Sequence, residues 1–331
     1  MTQSDPFLPD DPSNLLVADP ARRDRVAFDA GGNRLAGHLY RPPGADPGQA
    51  TPGIVTCGPI SSVKEQTLPH YGERFADAGY TVLTFDPSGF GESEGEPRFH
   101  YDPWRVISDY VDASAYLMSR HDVASDGVAV VGVCMGGGYA VGVAARERRL
   151  VACASVAGGY DIGGTFLQTM GADGFASYLR LVNEARDRER QTGETVYIPT
   201  IAHELTEDEP LDAMPVQEAY SYYERTSRDA APNWSWRMTA ASLEPYLTFN
   251  AISQAPLVAP TPLLIVHGTT DTALLPEKAQ AAFDAATEPK RLVWIETHNH
   301  IELYDQDPYV SEAVGEVLRW LGELGLGGER G

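Results

Sequence analysis

Short apolar runs recur along most of the chain, and each is followed by a turn rich in Gly, Pro or Asp and usually by a helical stretch. The runs lie at residues 53–57, 81–85, 127–131, 150–156, 263–266 and 292–295. Uninterrupted apolar runs of this length are typical of strands that are buried on both faces of a parallel sheet. The intervening helices are predicted at residues 66–78, 103–119, 135–146, 276–286 and 308–321. This alternation predicts an α/β fold with a right-handed, doubly wound and mostly parallel sheet.

Two segments near the start of the chain depart from that pattern. Residues 1–24 contain several Asp and Pro residues and show little periodicity, so we predict an extended arm. Residues 25–29 and 34–40 alternate around Ala30-Gly-Gly-Asn33, a turn sequence that can adopt positive φ. We therefore predict an N-terminal β-hairpin.

The alternation of strands and helices stops between residues 158 and 250, where the chain becomes helical, acidic and aromatic. An insertion between late strands is most simply a cap over the edge of the sheet where open α/β sheets bind ligands. We therefore predict an arm at residues 1–24, a core at residues 25–158 and 251–325, and a helical cap at residues 159–250. Most of the cap's aromatic side chains are expected to form its own core. The candidates for substrate contacts are Tyr222, Tyr223, Trp234 and Trp236.

The net charge and the number of cysteines indicate which binding partners and which cellular compartment to expect. The 331 residues include 25 Lys and Arg against 47 Asp and Glu, a net charge of -22. That charge repels phosphate backbones and anionic membrane surfaces, so we expect neither a nucleic-acid nor a membrane partner. Three cysteines are too few for a disulfide framework. The first residues also lack the pattern of an export signal. We therefore expect reduced thiols and a cytoplasmic location.

The sharpest chemical feature is the segment Gly132-Val-Cys-Met-Gly-Gly-Gly138, which follows the apolar run at 127–131. It has the G-x-S-x-G pattern of a nucleophile elbow with Cys in place of Ser. The N-terminus of the following helix favours a thiolate and directs the backbone N–H of Met135 toward a developing oxyanion. Cys134 is therefore the predicted nucleophile. The alternative is a buried cysteine at a glycine-rich helix start.

A cysteine nucleophile in such a fold needs a histidine base and a carboxylate that orients it, in the chain order nucleophile, acid, histidine. Asp271 follows the apolar run at 263–266 and is the predicted acid, with Asp161 as a weaker rival. His298 and His300 both follow the last run, and in an extended segment they would point the same way. Periodicity alone therefore does not select the base.

Two glycine-rich loops follow the first strands of the core. The loop Cys57-Gly-Pro-Ile-Ser-Ser62 is where elbow hydrolases supply a second oxyanion N–H, and Ile60 is the candidate donor. The loop Asp86-Pro-Ser-Gly-Phe-Gly-Glu-Ser93 lacks a following Lys and an immediate helix. We therefore interpret it as a loop-closing turn and not as a phosphate site.

These motifs, with Val63-Lys-Glu-Gln66 and His300-Ile-Glu-Leu-Tyr-Asp305, occur in the order found in the α/β-hydrolase superfamily. The chain resembles its dienelactone-hydrolase-like branch with a Cys nucleophile, from about residue 25 to 322 apart from the cap. The resemblance implies an α/β-hydrolase fold, and it selects His300 as the base because the catalytic His of that branch precedes an x-acid-Leu-Tyr-Asp segment. The oxyanion loop departs from the family's His-Pro-Gly-Gly-Gly, and the cap is larger, so the diacid-lactone substrate is not carried over.

The leading functional hypothesis is a Cys-His-Asp hydrolase that cleaves an ester, lactone or thioester through an acyl-cysteine intermediate. No metal or organic cofactor is implied, the expected partner is a small-molecule acyl substrate, and the oligomeric state is open, a homodimer included. The aromatic cap, and the scarcity of basic residues near the site other than Lys64, favour an apolar or aromatic acyl group. The alternative is an acyltransferase or cyclase. A non-catalytic binding module would require a broken triad.

Overall fold

The computed structural model describes residues 5–46 and 48–327, which form ten strands and nine α-helices. The strands are β1 (Arg23–Ala30), β2 (Asn33–Tyr40), β3 (Thr51–Cys57), β4 (Thr81–Phe85), β5 (Val123–Val133), β6 (Cys153–Val156), β7 (Tyr197–Pro199), β8 (Arg237–Thr239), β9 (Leu263–Gly268) and β10 (Lys290–Ile295). The helices are α1 (Leu68–Asp77), α2 (Pro103–Met118), α3 (Met135–Ala144), α4 (Ile162–Thr192), α5 (Gln217–Asp229), α6 (Leu243–Leu247), α7 (Pro276–Ala285), α8 (Glu302–Asp305) and α9 (Tyr309–Glu323).

Eight of these strands form one sheet in the order β1-β2-β4-β3-β5-β6-β9-β10. The hairpin β1–β2 and the pair β2–β4 are antiparallel, and every other pair is parallel. All residues of β4 and β6 are buried, because helices cover both faces of the sheet. The predicted doubly wound, mostly parallel sheet is confirmed.

The cap is inserted between β6 and β9, and its two ends lie side by side because Asp161 and Asn250 form an antiparallel bridge. It begins with α4, whose helical backbone is interrupted at Gly171 (φ 71°, ψ 170°). The remainder contains α5, α6 and a two-stranded antiparallel sheet of β7 and β8. The sequence predicted a helical cap, whereas the observed cap contains both helices and a small sheet.

The N-terminal arm lies against the core and cap and contains two short 3-10 turns, at Pro12–Asn14 and Pro20–Arg22. The Leu16 amide donates to the Asp305 carbonyl at 2.8 Å, and the Gln306 side chain donates to the Phe7 carbonyl at 2.9 Å. The arm is thus held next to α8, which follows His300. Its turns differ from the extended conformation that was predicted, because Asp11 and Asp19 each accept a bond from a backbone N–H two residues ahead.

The observed bounds of several elements agree with the hydrophobic pattern, and others differ by a few residues. The strand predicted at 81–85 is β4 with the same bounds, and α2 begins at Pro103 as predicted. The strand predicted at 150–156 is shorter, since the Leu150 amide still belongs to a turn that bonds to the Glu147 carbonyl at 3.3 Å. Within the described ranges, no helix is long and apolar enough to cross a lipid bilayer.

Candidate active site

Cys134 occupies a sharp turn between β5 and α3. Its backbone has φ 60° and ψ -130°, a region that non-glycine residues rarely adopt. The neighbouring glycines are needed because a Cβ at Gly132 would lie 1.9 Å from the Gly136 carbonyl oxygen. A Cβ at Gly136 would lie 2.2 Å from the Cys57 carbonyl oxygen. The strained turn and its close-packed glycines are the geometry of a nucleophile elbow.

His300 and Asp271 form a buried hydrogen-bonded pair beside Cys134. The Nδ1 atom of His300 lies 2.6 Å from Oδ2 of Asp271, so Nδ1–H donates to the carboxylate. The other oxygen, Oδ1, accepts from the amides of Ala273 at 3.0 Å and Leu274 at 2.7 Å, which fixes the orientation of the acid. Asp271 follows β9 and His300 follows β10, at the same sheet edge as Cys134.

The charges of this pair stabilise each other despite their burial. Burial alone would raise the pKa of Asp271, but the His300 imidazole and the hydrogen bonds to the carboxylate hold it below its usual value. Burial alone would lower the pKa of His300, but Asp271 and the adjacent Cys134 thiol raise it well above the usual value. The site therefore favours an imidazolium between a carboxylate and the thiol.

The two candidate histidines have different surroundings in the structure. The His298 side chain is 75% exposed and bonds to Glu302, with 3.1 Å between Nδ1 and Oε1. His300 is buried and lines a cavity with Cys134. The rival acid, Asp161, caps the first turn of α4 and pairs with Lys278 at 3.1 Å.

The two predicted oxyanion donors line the same cavity as Cys134. Among the described residues, the amides of Ile60 and Met135 donate no hydrogen bond to another backbone group. The Tyr223 hydroxyl donates to the Ile60 carbonyl at 3.0 Å, which holds the loop in place from the cap side. Both amides are therefore available to an anionic oxygen.

The four aromatic residues predicted to contact substrate do not line this cavity. Tyr222 and Tyr223 are fully buried, Trp234 stacks on Tyr223 with ring centroids 4.5 Å apart, and Trp236 is 36% exposed. They form an aromatic cluster, because each ring packs on another, with Tyr222, Tyr223 and Trp234 buried and Trp236 at its surface. Other residues of the cap, such as Phe166, Met214 and Tyr246, line the cavity where the four predicted aromatic residues were expected.

The cavity at Cys134 is small, about 40 Å³, and mostly apolar. Side chains from the cap and from the loop after β9 contribute most of its wall: Ile162, Phe166, Met214, Val216, Ala219, Tyr246 and Leu274. It adjoins a second cavity of about 250 Å³ that shares Phe166 and Val216 and is lined at its far end by Phe7 of the arm. The second cavity therefore lies next to the site, between α4 and α5.

Two polar residues at the site were missed by the sequence analysis. Tyr304 places its hydroxyl 3.2 Å from Nε2 of His300. Glu218, on the cap helix α5, accepts from the His300 amide at 3.3 Å and from the Thr272 hydroxyl at 3.3 Å. A signal existed for Tyr304, four residues after His300 and thus one helical turn away. None existed for Glu218, which lies far away in sequence.

Lys64 has a structural role, away from the cavity wall. It is 1% exposed, and its Nζ lies 2.7 Å from Asp86, 2.8 Å from Glu65 and 2.8 Å from Glu92. Burial alone would lower the pKa of Lys64, but Asp86 and Glu65 raise it above its usual value. This cluster joins the Val63–Gln66 segment to the Asp86–Ser93 loop, which agrees with the interpretation of that loop as a closing turn.

Comparison with known proteins finds relatives that match most of the length of this chain. The chain is 29% identical over 308 residues to the uncharacterized protein YcjY of Escherichia coli (91% of this chain, 98% of the relative). It is 29% identical over 276 residues to the thiohydrolase aneE of Aspergillus aculeatus (81% and 83%). It is 28% identical over 267 residues to the polyketide transferase claH of Penicillium crustosum (79% and 84%).

Solved structures and a family model assign the fold and the family. The complex of DcsB with its substrate analogue has a TM-score of 0.78 at 22% identity, covering 91% of this chain and 98% of the other. The α/β hydrolase GrgF of Penicillium sp. sh18 has a TM-score of 0.73 at 24% identity, covering 91% and 97%. The model of the family described as X-Pro dipeptidyl-peptidase (S15 family) matches residues 31–302. The chain therefore belongs to this family and is an α/β-hydrolase enzyme.

Proposed function

We propose that this enzyme transfers an apolar acyl group from an ester, lactone or thioester to water through an acyl-cysteine on Cys134. The main support is that Cys134, at a strained strand-to-helix turn, lines one cavity with His300. His300 is in turn hydrogen-bonded to Asp271. The resemblance to the dienelactone-hydrolase-like branch and the printed name of the thiohydrolase relative both support this assignment.

The residues divide the reaction into two steps. The thiolate of Cys134 attacks the substrate carbonyl while the amides of Ile60 and Met135 hold the oxyanion. His300 gives its Nε2 proton to the leaving group, which departs, and an acyl-cysteine remains. The neutral imidazole then takes a proton from water, whose oxygen attacks the acyl carbon and releases the acid and the thiolate. Asp271 keeps Nδ1 protonated throughout, so that Nε2 faces the reacting atoms.

The cavity wall supports an apolar acyl group. In the part of the chain that the structure describes, neither arginine nor lysine lines the cavity at Cys134. A free carboxylate on the acyl group would be buried there without a partner, at a cost of several kcal/mol. Medium-chain or aryl acyl groups can contact Ile162, Phe166 and Leu274 instead. We therefore expect specificity constants for apolar esters and thioesters that exceed the one for dienelactone.

A second candidate, an acyltransferase, is supported by the cavity next to the site and by the name of a relative. The adjoining cavity of about 250 Å³ has room for a second substrate beside the acyl group. A relative at 28% identity carries the name polyketide transferase. In this version, an alcohol, amine or carbon nucleophile of the second substrate takes the place of water.

The nucleophile is tested by intact-mass spectrometry after incubation with a panel of activated esters and thioesters. We expect an acyl adduct on the wild-type enzyme, no adduct on Cys134→Ala, and most activity lost in Cys134→Ser because the hydroxyl is far less acidic than a thiol. Cys153→Ala is the matched control, since Cys153 is a buried cysteine on β6. It should keep the adduct. Normal turnover by Cys134→Ala would refute the proposal.

The same panel distinguishes hydrolysis from transfer. Wild-type enzyme is incubated with the best acyl donor, with and without an amine or alcohol acceptor, and the free acid and the conjugate are quantified. Free acid as the main product in the presence of acceptor supports the hydrolase, and conjugate without acid supports the transferase. An X-Pro anilide belongs in the panel because of the family's description. Faster turnover of that amide than of every ester would contradict the proposed substrate class.

A further inference from the structure

Tyr304 lies inside the catalytic cavity, although the two-step reaction above gives it no role. It is 2% exposed and lines the cavity together with Cys134 and His300. Its ring is held by edge contacts with His300, at a centroid distance of 5.1 Å, and with Tyr222, at 4.8 Å. The position of its hydroxyl is therefore fixed by packing on two sides.

The Tyr304 hydroxyl contacts one of the two groups between which the catalytic proton moves and shares a cavity with the other. It lies 3.2 Å from Nε2 of His300, and Tyr304 and Cys134 line the same cavity. In the described part of the chain it has no other hydrogen-bond partner. A phenol that served only the stability of the core would be expected to bond to a structural acceptor, as Tyr71 does with the Leu303 carbonyl at 2.7 Å.

We propose that Tyr304 is a catalytic residue whose hydroxyl stabilises the thiolate–imidazolium state of Cys134 and His300. This inference rests on the proposed function, since it requires Cys134 to be the nucleophile. A phenol hydroxyl can both donate and accept, so it can serve either charge state of the pair.

The hydrogen-bond directions follow from the position of the proton. In the neutral pair, the Nε2 lone pair accepts from the Tyr304 O–H group. When the proton leaves Sγ and binds Nε2, that lone pair is lost, and Nε2–H donates to the Tyr304 oxygen. The O–H group then turns to the thiolate and donates to it. The phenol keeps its own proton, and its bond in the charged state is a charge-assisted hydrogen bond, about twice as strong as a neutral one.

The test is the rate at which iodoacetamide alkylates Cys134 between pH 5 and 9, with the modified residue located by peptide mapping. Tyr304→Phe removes the hydroxyl and keeps the ring. The matched control is Tyr71→Phe, which also removes a fully buried tyrosine hydroxyl. That hydroxyl donates to the carbonyl of Leu303, the residue before Tyr304, and Tyr71 does not line the cavity. Asp271 and Glu218, the carboxylates that face His300, are intact in both variants.

We expect the alkylation rate of Tyr304→Phe at pH 6 to fall about tenfold, with the profile moved to higher pH, because a hydrogen bond to a charged group is lost. Tyr71→Phe should retain the wild-type profile and lose only some thermal stability. Superimposable profiles for Tyr304→Phe and wild type would overturn the role of Tyr304 while leaving the nucleophile intact. A wild-type Cys134 no more reactive at pH 6 than a free thiol would overturn the proposed function and this inference together.

Discussion

His300 and His298 are two residues apart, and their surroundings give them different expected effects on activity. His300→Ala removes the proposed base and should reduce kcat by about 10²–10⁴-fold, the usual contribution of a positioned acid or base. His298→Ala removes a side chain that is 75% exposed and should change kcat less than about threefold. Steady-state kinetics on the best substrate of the panel measures both.

The thermal unfolding midpoints of the two histidine variants provide the control, because a loss of activity that accompanies unfolding says nothing about the base. Equal losses in two folded variants would remove the distinction between the histidines. A loss confined to His298→Ala would show that the cavity at Cys134 is not the active site.

Residue-level chemistry was predictable where it depends on strand ends. Cys134 and Asp271 directly follow apolar runs, so the parallel sheet had to bring them to one edge. The choice between the histidines was not available from spacing, because residues after β10 form a turn and the short helix α8 instead of an extended segment. The contact of Glu218 with His300 depends on how the cap docks, which no local pattern encodes.

At the scale of the element, the elbow depends on glycines that allow β5 and α3 to meet at Cys134. Gly132→Ala would place a methyl group 1.9 Å from a backbone oxygen, so the turn has to shift. We expect a loss of about 1–3 kcal/mol in the free energy of unfolding together with a large loss of activity. Chemical denaturation and steady-state kinetics measure the two effects.

Gly315→Ala is the matched control for that prediction. Gly315 lies within α9, and a Cβ there would meet no atom within 4 Å. Alanine in a helix interior is about 0.5–1 kcal/mol more favourable than glycine. This variant should therefore be as stable as wild type or slightly more stable, with full activity. A similar loss of stability in both variants would mean that close packing is not what requires Gly132.

Most elements of the core follow from the hydrophobic pattern, since buried strands and amphipathic helices leave a periodic trace. The elements that were missed are short: β7 and β8 have three residues each, and α8 has four. A strand of three residues contains less than two periods, and a helix of four residues contains little more than one. Their conformation is determined by the neighbours on which they pack, and the sequence carries no separate signal for them.

For the whole molecule, buried neutral histidines predict a loss of stability in acid. Burial, together with Arg23 and Lys64, lowers the pKa of His38 to about 3, and burial with Arg74 and Arg225 lowers that of His70 to about 3. The unfolded chain binds their protons below pH 6.5, whereas the folded protein does so only near pH 3. The free energy of unfolding should therefore fall between these values, by up to about 1.4 kcal/mol per pH unit for each histidine.

Urea denaturation at several pH values between 4 and 7 measures this slope. His70→Gln removes one of these buried groups and should make the slope shallower. His121→Gln changes an exposed histidine and should reproduce the wild-type slope. An unchanged slope in His70→Gln would mean that His70 is already protonated in the folded protein and that its burial is not what lowers stability in acid.

The docking of the N-terminal arm next to α8 has a consequence for biosynthesis. Phe7 and Gln306, which are hydrogen-bonded, are 299 positions apart, so a ribosome adding about 5–20 residues per second makes the second about 15–60 s after the first. For more than half of that interval Cys134 has been translated but His300 has not, and Phe7 lacks its hydrogen-bond partner Gln306. The nascent chain therefore carries Cys134 without its proposed base. The proposed site is complete only when translation is nearly finished.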